Sequence, residues 1–287
     1  MRDISLQELL EAGCHFGHQK RRWNPAMTKY IYGERDGVHV FDLVKTKAGL
    51  EAAAEFVAKV SKEGGTVLFV GTKRQAADMV QEEAVGAGMP HVSVRWMGGL
   101  LTNFGQISKS IQKLADLKAK REAGEFKKYT KKEQLLIDRE IARLEKFFGG
   151  VAGLTKQPEA LFVVDTHREE VAVREAMRMG VKVVGIVDSN ADPRLVDYVI
   201  PANDDAVKSI ELIVKAVAEA IREAKESEVE RSEAKPKKAA GKAAKKGSAV
   251  EPEVAEEIEE KVAKEVEKEL GKEAKEEVLA KAPKRKK

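Results

Sequence analysis

Short apolar segments alternate with helical patterns along most of the chain, and this alternation constrains the fold more than any other feature. Five segments rich in Val, Ile, Leu and Phe occur at 66–71, 91–96, 160–165, 182–188 and 197–202. Amphipathic patterns typical of helices lie between most of them and follow the last one. Continuous apolar strands separated by helices form a parallel sheet that is covered on both faces. The sequence therefore predicts a doubly wound α/β fold whose five parallel strands follow the flavodoxin-like order.

The interval between the second and third strand segments is too long for a single connection. It spans about sixty residues, whereas a crossover between parallel strands needs only about a dozen. Apolar residues recur every three or four positions from Phe104 onward and again up to Phe148, which is coiled-coil spacing. Thr130 followed by Glu133 is a capping box that starts a returning helix. We expect residues 104–149 to form an inserted α-helical coiled-coil hairpin.

The two ends of the chain differ from this body. Strand-like runs around a Gly-Glu-Arg-Asp-Gly turn at 27–42 predict a small hairpin outside the main sheet. Residues 225–287 contain 18 Lys and Arg, 16 Glu and many alanines, so they bury too little apolar surface to fold alone. We expect an α/β domain made of residues 1–103 and 150–224. A low-complexity charged tail, flexible or partly helical, follows at 225–287.

Several protein classes are excluded by what the sequence lacks. A single cysteine, Cys14, excludes an internal disulfide and any multi-cysteine metal site. Walker, dinucleotide-binding and GxSxG motifs are absent. No apolar run is long enough to cross a bilayer, and the N-terminus has acidic residues where a signal peptide needs basic ones. These absences predict a cytoplasmic protein with no membrane partner and no evident catalytic machinery. We also expect no cofactor and no small-molecule substrate.

Aspartates after the later strand segments leave one alternative open. Asp165 and Asp188 each end an apolar segment. Asp192, Asp204 and Asp205 lie in the turns that follow. Because parallel strands end at one edge of a sheet, these carboxylates could gather there and bind Mg²⁺, as in an α/β enzyme or a receiver-like domain. The simpler interpretation is that they cap helices and shape turns. If a metal is present, we expect Asp188, Asp204 and Asp205 to hold it.

Basic residues suited to phosphate contact occur in several separate places. Residues 95–132 contain ten Lys and Arg against three acidic residues, so the first arm of the predicted hairpin is basic. A charged, solvated coiled-coil face is the alternative explanation of that arm. An enzyme pocket concentrates its charges around one small molecule, whereas a structured RNA is contacted at dispersed points. The predicted RNA-binding residues are Lys20, Arg21, Arg22, Trp23, Lys73, Arg74, Arg95, Asn103, Lys109, Lys113 and Lys118. Trp96, Gly98 and Gly99 are expected to set the geometry of their loop.

Five segments together resemble the family of the second protein of the bacterial small ribosomal subunit. They lie at 12–27, 68–76, 95–104, 160–169 and 187–206, and the resemblance covers roughly residues 1–224. The resemblance implies a flavodoxin-like domain with an inserted helical hairpin and no enzymatic activity. It also implies a place on the cytoplasmic ribosome, bound to 16S rRNA and to other small-subunit proteins. Those proteins include the mobile first protein of the subunit, which brings messenger RNA. The tail departs from the compact members of the family.

Overall fold

The computed structural model describes residues 4–243. The chain divides into two units, Met1–Arg231 and Ser232–Lys287, and the first contains both sheets. None of the helices in the described part of the chain combines the length and apolar composition that crossing a bilayer requires.

A short helix and a small antiparallel sheet begin the chain. Helix α1 (Leu6–Glu11) starts at a capping box formed by Ser5 and Glu8. Strands β1 (Phe16–Gln19), β2 (Ile31–Arg35) and β3 (Val38–Phe41) follow, in the spatial order β1-β3-β2. The hairpin predicted outside the main sheet is therefore confirmed as β2 and β3. Strand β1 is an addition that the sequence pattern did not indicate.

The main sheet has five parallel strands in the predicted order. They are β4 (Val67–Val70), β5 (His91–Val92), β6 (Ala160–Val164), β7 (Lys182–Val187) and β8 (Tyr198–Pro201). Their spatial order is β5-β4-β6-β7-β8, so counted along the chain the sheet reads 2-1-3-4-5. This is the flavodoxin-like order, in which the strand sequence reverses between β4 and β6.

Helices cover both faces of this sheet because alternate strand residues point to opposite sides. They are α2 (Leu43–Lys62), α3 (Ala77–Gly86), α6 (Glu170–Met179) and α7 (Val207–Ala243), together with α4 (Phe104–Glu122) and α5 (Lys131–Phe148). Phe69 and Phe162 pack into one core with the apolar sides of α2 and α7. Leu68 and Leu161 pack into the other core with α6 and the inner residues of α4 and α5. The sheet is therefore doubly covered, as predicted.

The long interval between β5 and β6 contains α4 and α5, which pack against each other. The capping box at Thr130 and Glu133 is present, and α5 begins directly after it. Ile111 and Leu144 are buried between the helices, continuous with the second core. The helices occupy the predicted positions, while coiled-coil packing and the domain boundaries stay predictions. Helix α7 continues beyond the predicted start of the tail, as far as Ala243.

Candidate functional site

The carboxyl edge of the main sheet gathers four aspartates around one lysine. Lys73 follows β4, and its Nζ lies 2.7 Å from Asp204 Oδ1, 2.6 Å from Asp205 Oδ1 and 3.3 Å from Asp165 Oδ2. Asp188 is the fourth member, and its Oδ2 accepts a hydrogen bond from the backbone N–H of Asp204. The predicted gathering of carboxylates at this edge is therefore present, with a cation at its centre.

Burial and hydrogen bonds together determine the ionisation of this Lys73–aspartate cluster. Burial and the charges of Asp188 and Asp165 raise the pKa of Asp204 to about 7, against the opposing effect of Lys73. Burial also lowers the pKa of Lys73, but its hydrogen bonds to Asp204 and Asp205 outweigh burial, so the pKa lies above its ordinary value. The lysine therefore stays charged and partly neutralises the buried carboxylates of Asp165 and Asp204 together with the exposed carboxylate of Asp205. Its ammonium is already engaged, so any phosphate contact by Lys73 has to compete with three carboxylates.

His18, on β1, completes the cluster from the small sheet. Its Nδ1 lies 3.0 Å from Asp188 Oδ1 and its Nε2 lies 3.5 Å from Asp205 Oδ2. The hydrogen bond to Asp188 raises the pKa of His18, against the lowering effect of burial. His18, Asp188 and Asp204 each present a ligand atom within 4.8 Å of the others, so these three residues could hold a divalent metal ion. The predicted metal-holding set was Asp188, Asp204 and Asp205, whereas the residues with ligand atoms close together are Asp188, Asp204 and His18.

Asp192 does not join this cluster. Its side chain accepts a hydrogen bond from the backbone N–H of Arg194 and starts a short 3₁₀ helix. The Arg194 guanidinium also contacts both carboxylate oxygens, which lowers the pKa of Asp192. For this residue the capping interpretation holds.

The basic segment after β1 is exposed and only partly paired. Lys20 forms an ion pair with Glu34 on β2, and Arg21 donates to Gln19. Arg22 is exposed, and no acidic partner occurs for it among residues 4–243. Trp23 is half-buried, with its ring centroid 5.0 Å from that of His39. The tryptophan therefore packs on the small sheet while retaining some exposed surface.

A single carboxylate organises the loop between β5 and α4. Glu175, on α6, accepts hydrogen bonds from Trp96 Nε1 (3.2 Å) and from the N–H groups of Gly99 (2.8 Å) and Leu101 (3.1 Å). Thr102 donates to it through both its backbone N–H and its hydroxyl. Burial raises the pKa of Glu175, but these donors outweigh burial and bring it below its ordinary value. Glu175 is a structural residue that the sequence analysis missed.

The residues expected to set the loop geometry differ in their surroundings. Trp96 is 7% exposed, so it is a packing residue. Gly99 has φ +90°, which other residues rarely adopt, while Gly98 faces open space. Arg95 and Asn103 are exposed at the two ends of the loop.

The lysines of α4 differ from one another. Lys113 pairs with Glu140 and Lys118 with Glu145, both on α5, and Arg121 pairs with Asp138. Lys109 is exposed, without an acidic partner in the described residues. Part of the basic arm thus forms ion pairs between the two helices, as the solvated-face interpretation expects.

The structure keeps the predicted RNA-binding residues on separate elements. Five of them are exposed and have no carboxylate partner within residues 4–243: Arg21, Arg22, Arg74, Arg95 and Lys109. They follow β1, β4 and β5 and lie on α4. This arrangement suits an extended anion better than a small one.

Comparisons with known proteins agree with the resemblance seen in the sequence. The family model for ribosomal protein S2 matches residues 9–224. The small ribosomal subunit protein uS2 of Coprothermobacter proteolyticus is 54% identical over 223 residues, covering 78% of this chain and 83% of that protein. The protein of the same name from Parabacteroides distasonis is 48% identical over 244 residues, covering 83% of this chain and 88% of that one. These relatives carry the names of ribosomal proteins and not of enzymes, as the sequence predicts for this chain.

Proposed function

Because the chain belongs to the ribosomal protein S2 family, we propose that it is a structural protein of the small ribosomal subunit that binds 16S rRNA in the cytoplasm. We further propose that it helps to dock the neighbouring first protein of the subunit, which brings messenger RNA. The observation that supports RNA binding is the set of five exposed cations on separate elements, none neutralised by a carboxylate of the described chain.

The proposed mechanism of binding is electrostatic positioning. Arg21, Arg22, Arg74, Arg95 and Lys109 release counterions from the RNA as they contact phosphates, and the affinity gained in this way falls as salt rises. Lys113 and Lys118 contribute to RNA affinity only if RNA phosphates displace their carboxylate partners on α5. Rigid placement of the contacts on one fold lets the protein recognise the shape of the RNA.

The cluster around Lys73 is assigned a structural role in this proposal. Lys73 joins the segment after β4 to the segments after β6 and β8, and His18 joins the small sheet to the same point. The cluster therefore fixes the relative positions of Arg22 and Arg74. The enzyme or receiver alternative left open by the aspartates loses its basis, because the family is one of ribosomal proteins.

The inserted helices are proposed to form a coiled-coil hairpin over residues 104–149. Buried Ile107, Ile111, Leu144 and Phe148 support this proposal at the end nearest the sheet. Such a hairpin projects Lys109 and its neighbours away from the α/β domain, which widens the span of RNA that one protein can contact.

Filter binding to 16S rRNA tests the proposal. Replacing Arg22 and Arg74 with glutamine should weaken binding about tenfold or more at low salt and reduce the salt dependence by about two phosphate contacts. Lys59→Gln with Lys62→Gln is the matched control, since it removes the same charge from exposed positions on α2. Equal affinities for the wild type, the arginine variant and the lysine control would contradict the proposed interface.

A further inference from the structure

A cleft beside helix α6 is not explained by the contacts described so far. It has a volume of about 820 Å³ and lies between α6 and the segment that follows β7. Thr166, just after β6, and Asn190, just after β7, line it, so it opens at the carboxyl ends of two parallel strands. This is where open α/β sheets place their ligands, and the volume is that of a small-molecule pocket.

Two residues that line the cleft each carry a buried oxygen without a hydrogen-bond partner among the described residues. Thr166 is 6% exposed, and its Oγ1 is buried and unpaired among the described residues. Asn190 Oδ1 is likewise buried and unpaired. Buried polar groups are rarely left unpaired, so a ligand that brings hydrogen-bond donors into the cleft would favour a rotation of either side chain toward it. Asn190 offers an acceptor, and the Thr166 hydroxyl can accept or donate.

The rest of the lining combines an apolar surface with polar and charged side chains. The polar and charged residues are Asn24, His167, Glu170, Arg174, Arg178 and Asp192. Val173, Met177 and Leu195 form the apolar part, and Met177 is 52% exposed. A thioether is polarisable and packs well against aromatic rings. Arg174 is paired with Glu170, whereas Arg178 has no acidic partner within residues 4–243. A ligand that suits this lining has a flat ring, N–H donors on its edge and a negative charge.

We propose that this cleft binds one unstacked nucleotide of the RNA partner, with a base that carries an exocyclic amino group. The base lies against Met177 and Leu195, its amino group donates to Asn190 Oδ1, and Arg178 contacts the phosphate. Adenine, cytosine and guanine carry an exocyclic amino group, whereas uracil has none and offers only the N3–H of its ring. The inference rests on the proposed RNA-binding function and adds to it a site that reads a base, in contrast to the exposed cations that contact the backbone.

The first test fills the cleft and measures the affinity for 16S rRNA. Met177→Trp should lower the affinity about fivefold or more, because the bulky indole takes up the space of the base and removes its hydrogen bond to Asn190. Met179→Trp is the matched control: Met179 is also on α6 and is 40% exposed but does not line the cleft, so its affinity should stay within about twofold of the wild type. Asn190→Ala, a smaller change, should also weaken binding. Wild-type affinity in both cleft variants would overturn the proposal.

The second test observes the cleft directly and does not depend on 16S rRNA. With ¹³C-labelled methionine methyl groups, AMP, CMP and GMP should shift the Met177 signal, UMP should shift it less, and Met179 should not respond. If 16S rRNA does not bind but Met177 responds, the cleft site stands and the proposed function fails. If 16S rRNA binds the wild type and Met177→Trp equally and no nucleotide shifts Met177, the site fails while the proposed function stands. Tight binding of a free monophosphate with unchanged RNA affinity in Met177→Trp would assign the cleft to a free nucleotide, which also overturns the proposal.

Discussion

Removing the Glu175 carboxylate should destabilise the protein far more than removing a typical surface carboxylate would. Glu175→Ala takes the acceptor away from the indole of Trp96 and from the N–H groups of Gly99, Leu101 and Thr102. Thr102 is exposed and Gly99 half-buried, so their N–H groups can turn to water, but Trp96 and Leu101 are 7% and 0% exposed. Two buried donors without partners cost about 1–3 kcal/mol each, which gives a loss of about 4 kcal/mol in the free energy of unfolding.

Urea unfolding and thermal melting measure this loss. For a domain of this size about 4 kcal/mol lowers the Tm by about 10 °C. Glu175→Gln keeps one acceptor oxygen and should lose about half as much. Glu211→Ala is the control, because within the described part of the chain the ion pair of Glu211 is an exposed one with Lys215 on the same helix. This substitution should cost at most about 0.5 kcal/mol. A loss below about 1 kcal/mol for Glu175→Ala would refute the view that this side chain holds the loop.

Four further predictions concern the cluster, the hairpin and the tail. Lys73→Met should reduce the free energy of unfolding by about 3–5 kcal/mol, because it leaves Asp165 and Asp204 buried beside each other without their cation; a loss under about 1 kcal/mol in urea unfolding would contradict this. Because the pKa of His18 is raised in the folded state, protonated His18 stabilises the fold below its unfolded pKa of about 6.5, and this contribution is lost as pH rises through the folded pKa. The difference in the free energy of unfolding between the wild type and His18→Gln should therefore be larger at pH 6 than at pH 9. A difference that does not change with pH would argue against this role of His18. Neutralising Lys109, Lys113 and Lys118 together should reduce the salt slope of RNA binding by up to about 3, near 0.9 for each duplex phosphate contact, and an unchanged slope would remove α4 from the interface. Truncation after residue 231 should leave the Tm unchanged. Truncation after residue 224 should lower the Tm by several degrees, because it removes Lys225, whose Nζ donates to the carbonyl groups of Ala87 and Gly88. Equal Tm values for both truncations would show that Lys225 is dispensable.

The strands and helices could be predicted because short stretches of the sequence, such as apolar segments and capping residues, specify them. Each strand of the main sheet lies within one of the five predicted segments, although β5 is only His91–Val92 of the segment at 91–96. Thr130 with Glu133 marks the start of α5. Strand β1 was missed because Phe16–Gln19 lacks apolar alternation and exists only through its pairing with β3. Short strands of this kind depend on tertiary context more than on their own residues.

The chemistry of the candidate site was harder to predict, because it depends on residues far apart in the chain. Lys73 looks like a phosphate ligand in its own segment, yet its partner Asp204 comes 131 positions later. Glu175 meets the loop around Gly99 from 76 positions away, and nothing in its helix distinguishes it from a surface glutamate. His18 is absent from the predicted metal-holding set, because its partner Asp188 lies far away in the chain on another element. Local spacing cannot reveal such contacts, whereas the strand order predicts which loops meet.

Ultraviolet cross-linking of the chain to rRNA in assembled small subunits, read out by mass spectrometry of the cross-linked peptides, tests the central claim most directly. The account predicts cross-links in at least three of four separate segments, at residues 20–23, 72–76, 95–103 and 104–122. Cross-links confined to one of these segments, or absent from all four, would contradict the account.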